Sequence, residues 1–377
     1  MDEGKSYQIC SRCIMDTSDP DIEFNEDGTC CYCDLYDRRV ATEVFTGQEG
    51  KEILNGIIEK IKAKGIGKPY DCMIGVSGGV DSTYAIWKLK EMGLRPLALH
   101  VDNGWNSELA VDNIKKVLEK LDIDLVTVVL DWEAFRDLQL SFLRASVADA
   151  EVPTDHIYDN VNFRVAMEHG FKYLINGGNI ATEAFVPKAW GYDSRDYRHL
   201  KALHKQFGTR SIKSLPLKSL TQYGFSIFFK GVRWITILNY MDYNKPLAIQ
   251  ELEAEFGWRP YGGKHFESIY TRFYQGYILK HKFGFDKRRA HLANLVLSEN
   301  ITREQALAEI AEEDYIGTKI YEEDRELVIK KLDLTEKKFK EIMALPVKSH
   351  LDYPNSSFVL RGMPGVLSLV KRFAKRV

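Results

Sequence analysis

Eight consecutive residues, Gly75-Val76-Ser77-Gly78-Gly79-Val80-Asp81-Ser82, concentrate more usable chemistry than any other stretch of the chain. They follow the apolar run Cys72-Met73-Ile74 and precede a segment from Thr83 to Glu91 with helical character. Adjacent glycines let a backbone approach an anion closely, and the N–H groups at a helix start point toward it. Ser77 and Ser82 add hydroxyl donors. Asp81 alone would repel a phosphate; it makes sense where it holds Mg²⁺ that bridges phosphate oxygens. The combination implies a nucleoside triphosphate with bound metal. Gly75 to Gly79 also satisfy G-x-S-x-G, the nucleophile elbow of esterases, yet an elbow needs neither the second glycine nor Asp81 and Ser82. No G-x-x-x-x-G-K-[ST] occurs, so the loop is not a Walker loop.

A second constellation precedes it. Cys10 and Cys13, then Cys30 and Cys33, are two C-x-x-C pairs with sixteen residues between them. Two tight turns at this spacing deliver four thiolates to one tetrahedral zinc, and four protein ligands make a closed, structural site. Cys31 neighbours a ligand position, and the spacing leaves open which of Cys30 and Cys31 binds. Cys72, the remaining cysteine, falls inside an apolar strand and is expected to be buried.

The elements that must carry these groups divide the chain into three parts. Residues 1–45 are the Cys-rich ribbon, too small to bury a core of its own. Residues 46–245 alternate strand-like and helix-like runs. Cys72–Val76, Pro96–Val101, Leu125–Leu130 and Tyr173–Asn176 read as strands, and Ile114, Val117, Leu118 and Leu121 form one helical stripe. Strands separated by helices predict an α/β parallel sheet buried on both faces, with ligands at the carboxyl ends of its strands. Both Gly75–Gly79 and Asn176-Gly177-Gly178-Asn179 lie at such ends. Residues 246–377 are richer in helix formers, and Thr302 with Gln305 resembles a capping box.

Composition sets limits. The 377 residues are 45% hydrophobic and 28% charged, with a formal net charge of −2, so the whole chain is no polycation seeking nucleic acid. No run is apolar enough to span a membrane and the first residues lack the character of a signal peptide, which makes a cytoplasmic protein the expectation. One basic stretch, Arg195 to Lys213, contains Arg198, His199, Lys201, His204, Lys205 and Arg210 with Tyr197 and Phe207. It suits either the phosphates of a nucleotide sugar or a solvated helix face.

Ser77-Gly78-Gly79-Val80-Asp81-Ser82 resembles the SGGxDS signature of the PP-loop ATP pyrophosphatases. His100-Val101-Asp102-Asn103-Gly104 is similar to the element that flanks the nucleotide there, and Gly178-Asn179-Ile180-Ala181-Thr182-Glu183 resembles the GN-x-x-E segment of the NAD synthetase branch. The resemblance implies ATP at Gly75, Ser77, Gly78, Gly79, Val80, Asp81, Ser82, Asp102, Gly178 and Asn179, with Asp81 and Glu183 on magnesium. Further blocks, Tyr261–Ser268, Thr271–Tyr277 and Phe285–His291, look like those of the WbpG-type N-acetyl sugar amidotransferases. With the cysteine pairs, that likeness runs from residue 10 to beyond 310.

Membership would imply a ligase that cleaves ATP to AMP and pyrophosphate and converts an acetamido group of a bacterial surface-polysaccharide sugar nucleotide to acetamidino. Candidate cations for the pyrophosphate are Lys264, Arg272 and Lys287, with Asp81 as the metal-holding catalytic residue. Asp155 and His156 are candidates for the base or for substrate contacts. Ammonia needs a source. Asp2 stands where an N-terminal-nucleophile glutaminase exposes its cysteine, and no spare thiol is at hand outside the ribbon except Cys72. The resemblance therefore implies a separate glutaminase subunit like that of histidine biosynthesis, with a cyclase-like subunit as ammonia conduit. A zinc ribbon before a PP-loop also occurs in tRNA-thiolating enzymes, so an RNA-modifying enzyme is the alternative. Where those carry a further C-x-x-C, this chain has Pro153-Thr154-Asp155-His156.

Overall fold

The structure is a computed structural model that describes residues 6–228, 231–263, 266–312 and 315–357. Helices α1 (Cys31–Glu43) and α2 (Gly47–Gly65) lead into β1 (Cys72–Gly75), α3 (Val80–Glu91), β2 (Pro96–Asp102), α4 (Glu108–Leu121) and β3 (Leu125–Val129). Then come α5 (Trp132–Ala145), α6 (Val152–Glu168), β4 (Tyr173–Asn176), the short α7 (Ile180–Glu183), α8 (Tyr197–Phe207), α9 (Leu220–Phe228) and β5 (Arg233–Thr236). The remainder is helical: α10 (Lys245–Phe256), α11 (Ile269–Phe273) continuing as a π-helix over Tyr274–Phe283, α12 (Arg288–Leu297), α13 (Arg303–Ala311), α14 (Lys319–Lys331) and α15 (Glu336–Ala344). Thr302 and Gln305 close the anticipated capping box at the start of α13.

The five strands form one parallel sheet in the order β3-β2-β1-β4-β5. Period-two alternation along each strand sorts the core into two layers. Cys72, Ile74, Ala98, Tyr173, Ile175 and Ile235 face α2, α3, α4 and α10. Met73, Leu97, Leu99 and Leu174 face the opposite layer, where α5, α6 and the C-terminal helices pack. Two expectations need correction. Burial on both faces holds for β1, β2 and β4 but fails for β3, whose Leu125, Thr127 and Val129 are exposed. As an edge strand, β3 is covered only where Val126 and Val128 point inward. The fifth strand was unforeseen because Arg233-Trp234-Ile235-Thr236 carries no apolar run and buries only Ile235.

The N-terminal ribbon is built into the molecule. Its cysteines, Ile14 and Met15 belong to the same core as Phe273 and Leu292. Arg303 donates to the Cys10 and Cys13 carbonyls at 2.8 and 2.9 Å, and Arg289 bonds the Ile14 carbonyl and pairs with Asp16. From the ribbon helix α1, Tyr32 stacks on Phe185 at 4.8 Å and Arg39 donates to the Ala184 carbonyl. The segment after α7 is thus gripped from the ribbon, while Asn294 of α12 bonds Ala184 N and the Phe185 carbonyl from the other side.

The sulfurs of Cys10, Cys13, Cys30 and Cys33 all lie within 4.8 Å of one another and are buried. Backbone N–H groups of Cys13 and Cys30 point at the Cys10 sulfur and that of Met15 at the Cys13 sulfur, from 3.3 to 3.4 Å, which favours the thiolate form of these two. This donor set fits a structural zinc, and Cys31, half-buried at the start of α1, is not part of it. Elemental analysis should find one zinc per chain, and its removal by a chelator should lower the melting midpoint by roughly 5 °C or more. Metal-free protein that melts like the untreated sample would refute the assignment.

Candidate active site

Chain direction places the site. From β1 the sheet grows through β2 to β3, then returns to add β4 on the other side of β1. A crevice opens at the carboxyl ends where that order reverses. The loop after β1 and the loop after β4 both enter it. Gly78 adopts φ +86°, and its carbonyl accepts hydrogen bonds from Trp258 Nε1 at 3.0 Å and Tyr261 Oη at 2.8 Å. Gly79 is the N-cap of α3, whose first-turn N–H groups have no acceptor within the helix. The Ser77 and Ser82 hydroxyls lie 3.4 Å apart across the turn. Gly177 approaches so closely that a Cβ there would sit 2.5 Å from Ser82 N.

Ser77, Gly79, Val80, Asp81, Ser82, Gly177, Trp258 and Tyr261 line a cavity of about 580 Å³ together with Gly178, Glu183, Lys245 and Glu267, whereas Gly78 is not part of the lining. Asp81 is held by three side chains. Oδ1 accepts from Tyr243 Oη at 2.5 Å and from Asn179 Nδ2 at 3.4 Å, and Oδ2 pairs with Lys245 Nζ at 3.0 Å. Lys245, at the start of α10, is a cation that sequence reading missed. No motif marks it, and only the packing of α10 on α3 brings it to the loop. Glu183 lines the same wall, and two carboxylates beside a phosphate loop fit the habit of Mg²⁺, which takes one or two carboxylates plus substrate phosphates.

The segment after β2 acts as a bracket. The His100 Nδ1–H donates to the Val76 carbonyl at 2.9 Å, and Asn106 bonds His100 Nε2 at 3.0 Å. Ser107 N and the Trp105 carbonyl then hydrogen-bond Glu267 O and Ile269 N, fixing Glu267 at the cavity. Lys331 of α14 donates to the Gly104 carbonyl and lies over the Trp105 and Trp132 rings. Asp102 itself is turned elsewhere. Its Oδ1 accepts from Gly104 N at 2.8 Å, and it lines a separate cleft of about 800 Å³ beside α4 and β3.

The other expected residues divide. Asp155 opens into the cavity from α6 with its side chain exposed there; the protein atoms crowded around the carboxyl, then Asp149 and Glu151, push its pKa up, an effect that its contact with solvent moderates. Burial opposes the charge of Lys287, but Glu151 (3.3 Å), Asp149 and Asp155 outweigh it and raise its pKa. His156 faces away from the cavity. Its Nδ1–H donates to the Ser194 carbonyl at 2.7 Å and Nε2 accepts from Lys218 N at 3.3 Å; burial lowers its pKa, and both ring nitrogens are engaged in holding loops. Arg272 is likewise committed, in a two-pronged pair with Asp324 at 2.6 and 2.7 Å. Neither lines the cavity. Lys264 lies outside the described residues. Gly75 and Asn179 stand behind the lining as the end of β1 and the N-cap of α7.

The basic stretch does not form one cationic surface. Arg195 pairs with Asp193, His204 with Asp137 and Arg210 with Glu133, while His199 is buried 2.9 Å from His350. Arg198, Lys201 and Lys205 are exposed on α8.

A parallel sheet in this order, with a Ser-Gly-Gly-Val-Asp-Ser loop at the switch point, a tetracysteine ribbon and a helical C-terminal region, defines a PP-loop α/β protein. Residues 267–364 match the family described as the LPS biosynthesis protein WbpG-like, C-terminal domain. Over those residues the chain carries a WbpG-like C-terminal domain. No curated protein sequence matches it. Among solved structures it is similar to NMN synthetase from Francisella tularensis, at 14% identity over 55% of this chain and 93% of that one, with a TM-score of 0.30. NH3-dependent NAD synthetase from Campylobacter jejuni, in complex with the nitrate ion, is similar at 14% identity over 56% and 94%, TM-score 0.29. A predicted subunit of tRNA methyltransferase from Methanocaldococcus jannaschii is similar at 15% identity over 48% and 73%, TM-score 0.28.

Two outcomes follow from this geometry. Gly177→Ala should push the start of α3 out of place and weaken MgATP binding by ~10-fold or more, measured calorimetrically. Wild-type affinity in that variant would show that the close approach is dispensable. Asp155→Asn should stabilise the protein. Because the folded pKa is raised, the cost of ionising Asp155 is absent below the ordinary carboxyl range of about 4, grows as pH rises above it, and is complete beyond the folded value. Because the side chain is solvent-exposed the gain should be small, with melting midpoints higher by about 1 °C at pH 8 and coincident with wild type below about pH 4. An equal gain at both pH values would exclude Asp155 ionisation as the cause.

Proposed function

We propose that the chain is an ATP-dependent amidotransferase that converts the acetamido group of a surface-polysaccharide sugar nucleotide to an acetamidino group. The observation that supports this reading most is the composite cavity. A PP-loop forms one wall, and residues around and within the WbpG-like domain, including Glu267, His291 and Glu309, form the facing wall. A nucleotide bound at the loop would meet its co-substrate there.

An amide carbon is a poor electrophile and its oxygen a poor leaving group. Attack of the amide oxygen on the α-phosphorus of ATP forms an O–P bond, breaks the α–β bridge and releases pyrophosphate. Ammonia then adds to the imidate carbon, the C–O bond breaks, AMP departs and an amidine remains. The N–H groups of the 77–82 loop, the Ser77 and Ser82 hydroxyls and Lys245 would meet the charge that develops on pyrophosphate. Asp81 and Glu183 would hold Mg²⁺, which supplies electrophilic stabilisation of the phosphates. Asp155, open to the cavity and easily protonated, is suited to take a proton from ammonium on the face opposite the loop residues. Ammonia would come from a separate glutaminase, in keeping with Cys72 being buried with its thiol pKa pushed up by burial.

The deciding assay is pyrophosphate release with ATP, Mg²⁺ and ammonium across a panel of diacetamido nucleotide sugars and bulk tRNA. The expected outcome is release that depends on one sugar, with a product lighter by the difference between O and NH. Release with tRNA alone would overturn the proposal in favour of RNA modification.

A further inference from the structure

A second chamber of about 360 Å³ adjoins the first. Glu183, Gly262, Gly263, His291 and Glu309 line both, so the two cavities adjoin at these residues. Apart from Glu183, the second chamber's lining takes no part in the PP-loop chemistry described above, and three of its properties restrict what it can hold.

The first is charge. Lys280, Lys287 and Arg288 are matched by Glu183, Asp286 and Glu309 among its described lining residues. Several of these charges are already paired, within the wall or just behind it. Asp286 takes Lys280 at 3.3 Å and Arg288 at 2.9 Å, and Lys287 takes Glu151. Among the described lining residues the charges balance and leave no surplus cation for a diphosphate, but their donors and acceptors can still bond neutral hydroxyl and amide groups. The second property is the aromatic side: Phe266 and Tyr315, with ring centroids 6.2 Å apart, and Phe185, whose other face is stacked on Tyr32. Flat apolar faces beside fixed polar groups suit the C–H face and hydroxyl edge of a pyranose. The third is size. The volume lies near the lower end of the ~300–1,000 Å³ typical of small-molecule sites. That is room for one ring with its acyl arms, not for a ring and a nucleoside diphosphate together.

We propose that this second chamber binds the sugar ring of the acceptor, with its acetamido arm directed past the shared residues toward the ATP α-phosphorus. The nucleotide carrier remains outside and contributes little to recognition. This inference rests on the amidotransferase reading.

Val186 lines the chamber and is half exposed, so Val186→Trp can obstruct it without disturbing the core. Binding would be measured by calorimetry in the presence of a non-hydrolysable ATP analogue and Mg²⁺. The probes are N-acetylglucosamine and the diacetamido sugars of the panel, each free and as its nucleotide conjugate. Free and conjugated forms of the preferred sugar should bind within about tenfold of each other. Val186→Trp should weaken both by more than ~10-fold, with affinity for the ATP analogue within about twofold of wild type and Val186→Ala close to wild type. Sugar binding that requires the nucleotide, or that Val186→Trp leaves unchanged, would overturn the chamber assignment while leaving the amidotransferase reading intact. Failure of wild-type protein to bind any sugar of the panel would remove that reading and this proposal with it.

Discussion

The whole site depends on how closely two loops approach at one point of the sheet. Beyond the carboxyl ends of β1 and β4, Gly177 lies against the backbone of Asp81 and Ser82, where any side chain would collide. Because that contact exists, Asn179 can reach Asp81, and α7 can set Glu183 on the same cavity wall. A parallel sheet whose order reverses at β1 generates the crevice, and glycine lets it be narrow enough for small-ligand chemistry.

Everything else in the fold serves to hold that crevice in shape. From below, His100 ties β2 to the end of β1 through the Val76 carbonyl, and the following turn carries Glu267 to the cavity. From the side, α10 supplies Lys245 and the loop after it supplies Trp258 and Tyr261, both of which grip the Gly78 carbonyl. From above, the ribbon and α12 clamp the segment after α7 from opposite sides through Arg39, Tyr32 and Asn294. The tetracysteine cluster therefore stabilises a wall of the site at a distance. A closed thiolate site is suited to this, because it fixes two turns rigidly where few apolar side chains are available.

Charge distribution separates the two chambers chemically. Around the loop, Asp81 is satisfied by Tyr243, Asn179 and Lys245, an arrangement that a phosphate-bound cation can re-partition. Between the two, Asp149, Glu151 and Asp155 act on Lys287, which lines the second chamber while Asp155 lines the first, and their negative charge raises the pKa of the lysine against its burial.

The chain's own residues announced the loop, the cysteine pairs, four strands and the capping box at Thr302, because each depends on local chemistry: glycine conformation, thiolate spacing, period-two apolar runs, a side chain bonding its own helix start. Contacts between distant segments were beyond that reach. Lys245 and Tyr243 lie more than a hundred residues from Asp81 and carry no motif. His156 and Arg272 sit in suggestive blocks, yet packing commits one to loop carbonyl and amide groups and the other to Asp324. Asp102 lies in a motif as well, but an Asx turn directs it to the neighbouring cleft. The choice between Cys30 and Cys31 was settled only when helix α1 turned one sulfur inward and the other out. Sequence by itself determined which chemistry the chain can offer, since residue type and spacing set what a short segment can bind. Only the tertiary structure decided which of those groups share a cavity, since that depends on the direction each side chain takes after two layers have closed on one sheet.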